Sequence, residues 1–240
     1  MDQLATVPVN MARNRYRHAS RFDGLPDVVF WGEPGGVGKP YVLSRCASFL
    51  THVLEHAYGA GTPNGWATPQ FFYDHIERSA RNEGFPSAST YRAAFARGIP
   101  HFAPVTAVRE LQPGDLVSID FNRPGAIYTG HIVMIRRYWG VHEHPADRCF
   151  SRPVVPRVFE VVDCSSRPHG DPKRFPELLE AFPDTRAPLD GDTGDGAGYG
   201  HMILYEDRLT GQLAGYRRSP DASLPFTTSR HPIAAAHIEP

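Results

Sequence analysis

Apolar positions recur along this chain in two rhythms, a helical one first and a strand rhythm after it. In residues 46–58, Phe49, Leu50, Val53, Leu54 and Ala57 fall on one face of a helix. Ser44 predicts its cap, and Gly59 with Gly61 its stop. A second helix is expected from residue 68 or 69 to 81, carried by Phe71, Phe72, Ile76 and Ala80. A third spans 88–97 and is closed by Gly98 and Pro100. Strand patterns then cover 115–121, 131–138 and 157–163. Residues 202–206 and 212–217 flank a turn at 209–211 and read as a hairpin. A short strand is expected at 28–31. Helices followed by antiparallel strands predict an α+β fold, with N-terminal helices packed on an antiparallel sheet.

Before this body lies a locally basic arm, residues 1–25, with Arg13, Arg15, Arg17 and Arg21. After it, residues 219–240 mix Pro, Ser, Thr and His without a period and predict an extended tail. Residues 26–218 then form a single domain. A chain of 240 residues buries roughly 70–75% of its unfolded surface, so it needs no staples. The 22 Gly and 23 Pro add much loop and turn. With 25 basic against 26 acidic residues, nothing asks for nucleic acid or an anionic membrane. No stretch approaches the ~18 apolar residues of a membrane span, and the first residues lack a secretory apolar run. The expectation is a soluble protein without membrane insertion, cytoplasmic at synthesis, with any export by a non-Sec route. Cys46, Cys149 and Cys164 are the only cysteines, too few and too uneven for a disulfide framework.

Three segments imitate sites. In residues 28–40, Gly32 and Gly38 stand one residue too far apart for a phosphate loop, and Pro40 replaces its Ser or Thr. His142, His144, Asp147 and Cys149 are ligand types, but their spacing matches no common metal site. Residues 191–200 lack the ligand order of a calcium loop and read as a surface loop.

The chemistry gathers elsewhere. Cys46 opens an amphipathic helix, where free N–H groups and the helix dipole favour a thiolate and can hold an oxyanion. The stretch LQPGDLV, residues 111–117, is a turn launching a strand. Gly130 and His131 begin the next strand, and the glycine lets another chain approach. A histidine there can meet a thiolate across the boundary of sheet and helix. In residues 158–163, VFEVVD, Phe159, Val161 and Asp163 share a face. A carboxylate ending such a face is costly without a partner, and an imidazole N–H is a natural one. A competing arrangement pairs Cys164 with His201, but Pro168 and Pro172 forbid the apolar helix that should follow that cysteine.

The order of a Cys at a helix start, PGDLV, then GH with an apolar strand, then a polar residue on the next strand resembles the NlpC-like cysteine peptidases, over roughly residues 40–165. The resemblance implies a stripped-down papain-like fold, with Cys46 as nucleophile, His131 as base and Asp163 in the third place. It implies hydrolysis of amide bonds in cell-wall peptides, so peptidoglycan-like peptide is the expected substrate and no metal or organic cofactor is needed. Some relatives are amidases or acyltransferases. An acyltransferase or deamidase, or a binding module with an inert Cys46, therefore stand as alternatives. The sequence departs from the family around the nucleophile, with Arg45 before it and Ala47-Ser48 after it. Residues 140–156 form a long insert between the second and third strands.

Overall fold

The helical run opening at Cys46 begins where an extended strand ends. The computed structural model describes residues 14–17, 25–32, 39–63, 65–76, 85–123, 126, 128–171, 173–187 and 194–239. Three short strands, β1 (Asn14–Tyr16), β2 (Val28–Phe30) and β3 (Tyr41–Ser44), form a small sheet with β3 in the middle. β3 runs directly into α1 (Cys46–Tyr58), whose Phe49, Leu50, Val53 and Leu54 are buried. α2 (Pro69–His75) starts on Thr68, whose hydroxyl accepts the Phe71 N–H. Residues 77–81, the rest of the expected second helix, lie outside the described residues. α3 (Ala88–Arg97) starts on Ser87, which caps Thr90, and ends at Gly98 as expected.

The strands that follow are β4 (Phe102–Val105), β5 (Leu116–Asp120), β6 (Gly130–Val141), β7 (Val154–Ser165), β8 (Gly196–Asp207), β9 (Leu213–Arg217), β10 (Phe226–Thr227) and β11 (Ile233–Ile238). A short helix, α4 (Pro176–Ala181), lies between β7 and β8. They form one eight-stranded antiparallel sheet in the order β10-β9-β8-β7-β6-β5-β11-β4. The α+β organisation follows: helices α1 and α3 cover one face of the sheet, α1 over β6 and β7, α3 over β5 and β11. Their core joins Phe49, Leu50, Tyr91 and Phe95 to Leu116, Ile132 and Val162. The other face has its own core of Val117, Ile119, Val133, Ile135, Phe159, Val161 and Met202. No helix among the described residues is long and apolar enough to cross a membrane.

The PGD stretch is a structural corner. Gly114 sits at φ +97° and donates to the Ile135 carbonyl (2.9 Å), while Ile135 donates to the Asp115 carbonyl (2.8 Å). The Asp115 carboxylate accepts the Gln112 N–H (2.9 Å) and holds His237 (2.7 Å). The turn therefore locks β5 to β6 and to the last strand.

Three expectations are corrected. Residues 219–240 are not a tail: β11 lies between β5 and β4, where Ala236 is buried in the core under α3 and Ala235 in the core of the opposite face. A run of alanines hides the alternation of a strand, because the small residue fits both faces. Nor is 1–25 a solvated arm throughout. The Asn14 side chain accepts the Ala197 N–H and donates to the Ala197 carbonyl, both at 2.8 Å, which ties β1 to β8. Residues 196–200, read as surface loop, are buried and open β8.

Deleting residues 232–240 exposes the facing edges of β5 and β4. We expect the shortened chain to lose its cooperative thermal transition by circular dichroism. A transition like that of the full chain would make β11 dispensable.

Candidate active site

α1 owes its position to an acid from outside it. The residue at its N-cap is Arg45, in extended conformation, rather than the expected Ser44. Asp27 anchors this cap residue from outside the helix. Its carboxylate takes the Arg45 N–H (3.0 Å), the Arg45 guanidinium (2.7 Å) and the Ser48 hydroxyl (2.8 Å). The first intrahelical bond runs from Phe49 N–H to the Arg45 carbonyl (2.9 Å). The N–H groups of Cys46, Ala47 and Ser48 therefore have no acceptor within the helix.

Cys46 heads this turn and is 7% exposed. Its thiol is a close neighbour of the His131 imidazole, near enough to raise the pKa of that ring. His131 is the second residue of β6, opposite Ile119 of β5. The glycine before it is required by space. A Cβ on Gly130 would stand 1.9 Å from the Ile119 carbonyl oxygen and 3.2 Å from Ala88 Cβ. Nε2 of His131 lies 2.6 Å from Oδ2 of Asp163, on the neighbouring strand β7. With Nε2 held there, Nδ1 is the nitrogen left to face the thiol. The structure thus brings Cys46, His131 and Asp163 together from α1, β6 and β7.

Asp163 is fully buried and has two further partners. His169 Nε2 reaches the same Oδ2 at 3.0 Å, and Arg186 Nη1 donates to Oδ1 at 2.6 Å. Burial pushes this carboxyl upward, but the charges of Arg186 and His169 and the two imidazole hydrogen bonds outweigh it. They hold it well below the usual carboxylate range. Burial likewise favours a neutral His131, yet the hydrogen bonds and charges of Asp163 and Cys46 leave its pKa above the ordinary value. Tyr16, from β1, is buried beside Cys46. Burial raises its phenol strongly, and the neighbouring thiols add to that. Tyr41 lies against Phe30 at 5.8 Å between ring centroids.

The competing pair is not brought together. Cys164 is fully buried on β7 opposite Ala197, its thiol donating to the Ser44 carbonyl (3.2 Å). Burial and the adjacent Asp163 charge push its pKa far up. His201 sits opposite Glu160, roughly 13 Å further along the strand at ~3.3 Å per residue. Its Nδ1 faces the Pro183 carbonyl (3.0 Å), and burial lowers its pKa to about 4. Of the imitation metal site, Asp147 is committed to the Tyr205 hydroxyl (2.5 Å) and the His144 N–H (2.9 Å). Cys149 is exposed.

Among the described residues, His131, Asp163 and His169 form the one group whose ligand atoms converge, all within 4.8 Å of one another. They converge on a single carboxylate oxygen. A zinc ion at ~2.0–2.2 Å from each ligand would have to open both hydrogen bonds and displace their protons. It would do so beside the Arg186 cation. The cluster fits proton-held imidazoles better than a metal.

His169, Arg186, Asp184 and Asp27 were not legible as site residues. His169 falls in a Pro- and Gly-rich stretch, and Arg186 follows Asp184 in a segment without periodicity. The available signal was the spacing of Gly196, Gly198 and Gly200. Comparison of the chain with family models, with curated proteins and with solved structures finds no match in any of the three.

The depressed Asp163 carboxyl makes a signed prediction. Its stabilisation is present above the unfolded carboxylate value, near pH 4, and is lost as pH falls toward the depressed native value. Asp163→Asn should therefore destabilise by about 3–5 kcal/mol at pH 7 and by roughly 1 kcal/mol less at pH 3. Urea denaturation at the two pH values checks this. A difference that grows in acid would mean that Asp163 is already protonated in the native state.

Proposed function

We propose that the chain is a thiol hydrolase of papain-like organisation that cleaves amide bonds, with peptidoglycan peptides as its substrate class. One observation carries the reading. A cysteine at a helix N-terminus neighbours a histidine whose Nε2 lies 2.6 Å from a buried carboxylate. The substrate class rests on the resemblance of the PGDLV and GH segments to the NlpC-like peptidases.

In this reading His131 takes the Cys46 proton and the pair rests as thiolate and imidazolium, which Asp163 stabilises. The thiolate adds to the amide carbonyl, and the oxyanion sits against the Cys46 N–H at the head of α1. The imidazolium gives its proton to the departing amine as the C–N bond breaks. His131 then takes a proton from water, whose oxygen attacks the thioester and releases the acid and the free thiol.

Incubation with purified peptidoglycan, followed by mass spectrometry, tests the reading. We expect newly free carboxyl and amino ends, lost by roughly 10³-fold or more in Cys46→Ala. Products that incorporate an added amine would favour acyl transfer instead. No turnover on peptidoglycan or simple peptide amides would leave a binding module.

The thiols separate in a second test. At pH 6.5, limiting iodoacetamide should modify Cys46 first, with exposed Cys149 as internal reference and buried Cys164 last. Cys149→Ser and Cys164→Ser should each keep activity within about tenfold, or ~1.4 kcal/mol of barrier. First labelling at Cys164 would sink the assignment.

A further inference from the structure

Gly196, Gly198 and Gly200 alternate along the start of β8, so they share one face of the strand. The latter two mark where other side chains lie on the backbone. A Cβ on Gly198 would stand 2.9 Å from Arg186 Nε and 2.7 Å from Thr185 Oγ1. On Gly200 it would stand 2.3 Å from Asp184 Oδ2 and 2.8 Å from His169 Cβ. This strip of β8 is therefore a trough, and its occupants close into a ring. Asp184 accepts Arg186 Nε (3.0 Å) on one oxygen and Nη2 (2.9 Å) on the other. It also accepts the His169 N–H (2.7 Å). Arg186 Nη1 and His169 Nε2 then point to opposite oxygens of Asp163. The His169 ring is pinned at its far side, where Nδ1 meets the Arg218 carbonyl (2.6 Å).

An Arg186–Asp184 pair would balance its own charge without help. The remaining Nη1 and the His169 ring are nevertheless both aimed at Asp163. One hydrogen bond leaves a carboxylate free to turn about its side-chain torsions, whereas partners on both oxygens fix its plane. We propose that His169, Arg186 and Asp184, seated on the Gly198–Gly200 trough, are positioning residues that fix the Asp163 carboxylate and through it the orientation of the His131 ring toward Cys46. The use of that orientation in catalysis rests on the hydrolase reading, while the orientation itself does not. The other titratable or charged groups facing the ring are Cys46 from α1, Cys164 on β7, His201 on β8 and Arg218 after β9.

The test reads ring geometry and thiol reactivity separately. Nitrogen-15 NMR of the full chain with labelled histidines reports which ring nitrogens carry protons and how fast those protons exchange. In the wild type, His131 should hold a slowly exchanging proton on Nε2, and both nitrogens of His169 should be hydrogen-bonded. His169→Phe and Gly200→Ala should each release the His131 proton into fast exchange. Both should also slow Cys46 alkylation at pH 6.5 by about tenfold or more. His169→Gln, which keeps an N–H donor, should restore most of both. Variants that fold with wild-type His131 signals would reduce the ring to a structural ion network and overturn the proposal. A wild-type His169 ring in free exchange would overturn it even if neither variant folds, and so would loss of both Nε2 protons on adding one equivalent of zinc. If the His131 signals respond as expected but wild-type Cys46 is unreactive, the hydrolase reading fails and the positioning stands.

Discussion

A carboxylate with no access to water sits at the end of β7, and much of the molecule is arranged around that fact. Burying such an ion costs several kcal/mol unless donors surround it. Asp163 has three donor side chains on its two oxygens, and each arrives from a different part of the chain. His131 comes from the adjacent strand. His169 and Arg186 come from the excursion between β7 and β8, which leaves the sheet, forms α4 and returns over the same strands. That return needs room, and the glycines of β8 provide it. The small residues of one strand and the charged residues of a loop far from it in sequence thus answer one electrostatic requirement.

A second anchor sets the opposite wall of the site. α1 begins without a capping side chain of its own, because the residue at the cap is an arginine. Asp27 accepts that arginine's own N–H from outside the helix and neutralises its guanidinium. The start of α1 is thereby fixed to the small sheet, while its apolar face is fixed to β6 and β7. Cys46 and His131 meet because both constraints act on the same turn. Gly130 completes the fit, since no side chain fits between its backbone and β5.

Much of this order was legible in the sequence where one physical signal dominated. The 3.6-residue period fixed α1 and α3 to their observed limits, because each buries one continuous stripe. The alternation in residues 157–163 put Asp163 on a face with Phe159 and Val161, and its need for a partner followed from cost alone. What stayed hidden lacked contrast. β11 reads as tail because the run Ala234, Ala235 and Ala236 has no alternation of large and polar side chains to mark a face. The first turn of β8 reads as loop because glycine is taken as flexible, whereas there it serves as absent volume. His169 and Arg186 stayed hidden because their neighbours are loop residues, and loops have no period to betray which way a side chain points.

The same carboxylate also separates the two buried cysteines. Cys164 adjoins Asp163 in sequence, lies in the interior and, among the described residues, hydrogen-bonds only a backbone carbonyl. Burial and the nearby negative charge both oppose its ionisation, so its thiol stays protonated. Cys46 meets the carboxylate only through His131. The charge that suppresses one thiol stabilises an imidazolium beside the other, and the free N–H groups of α1 add to that field. Two cysteines near one charge therefore stand in different settings because of what lies between them and it. The difference lies in a ring orientation. If His131 turned so that Nε2 left Asp163, the carboxylate would lose a donor and the ring beside Cys46 would lose the charge that favours its protonated form, at the same moment and for the same reason.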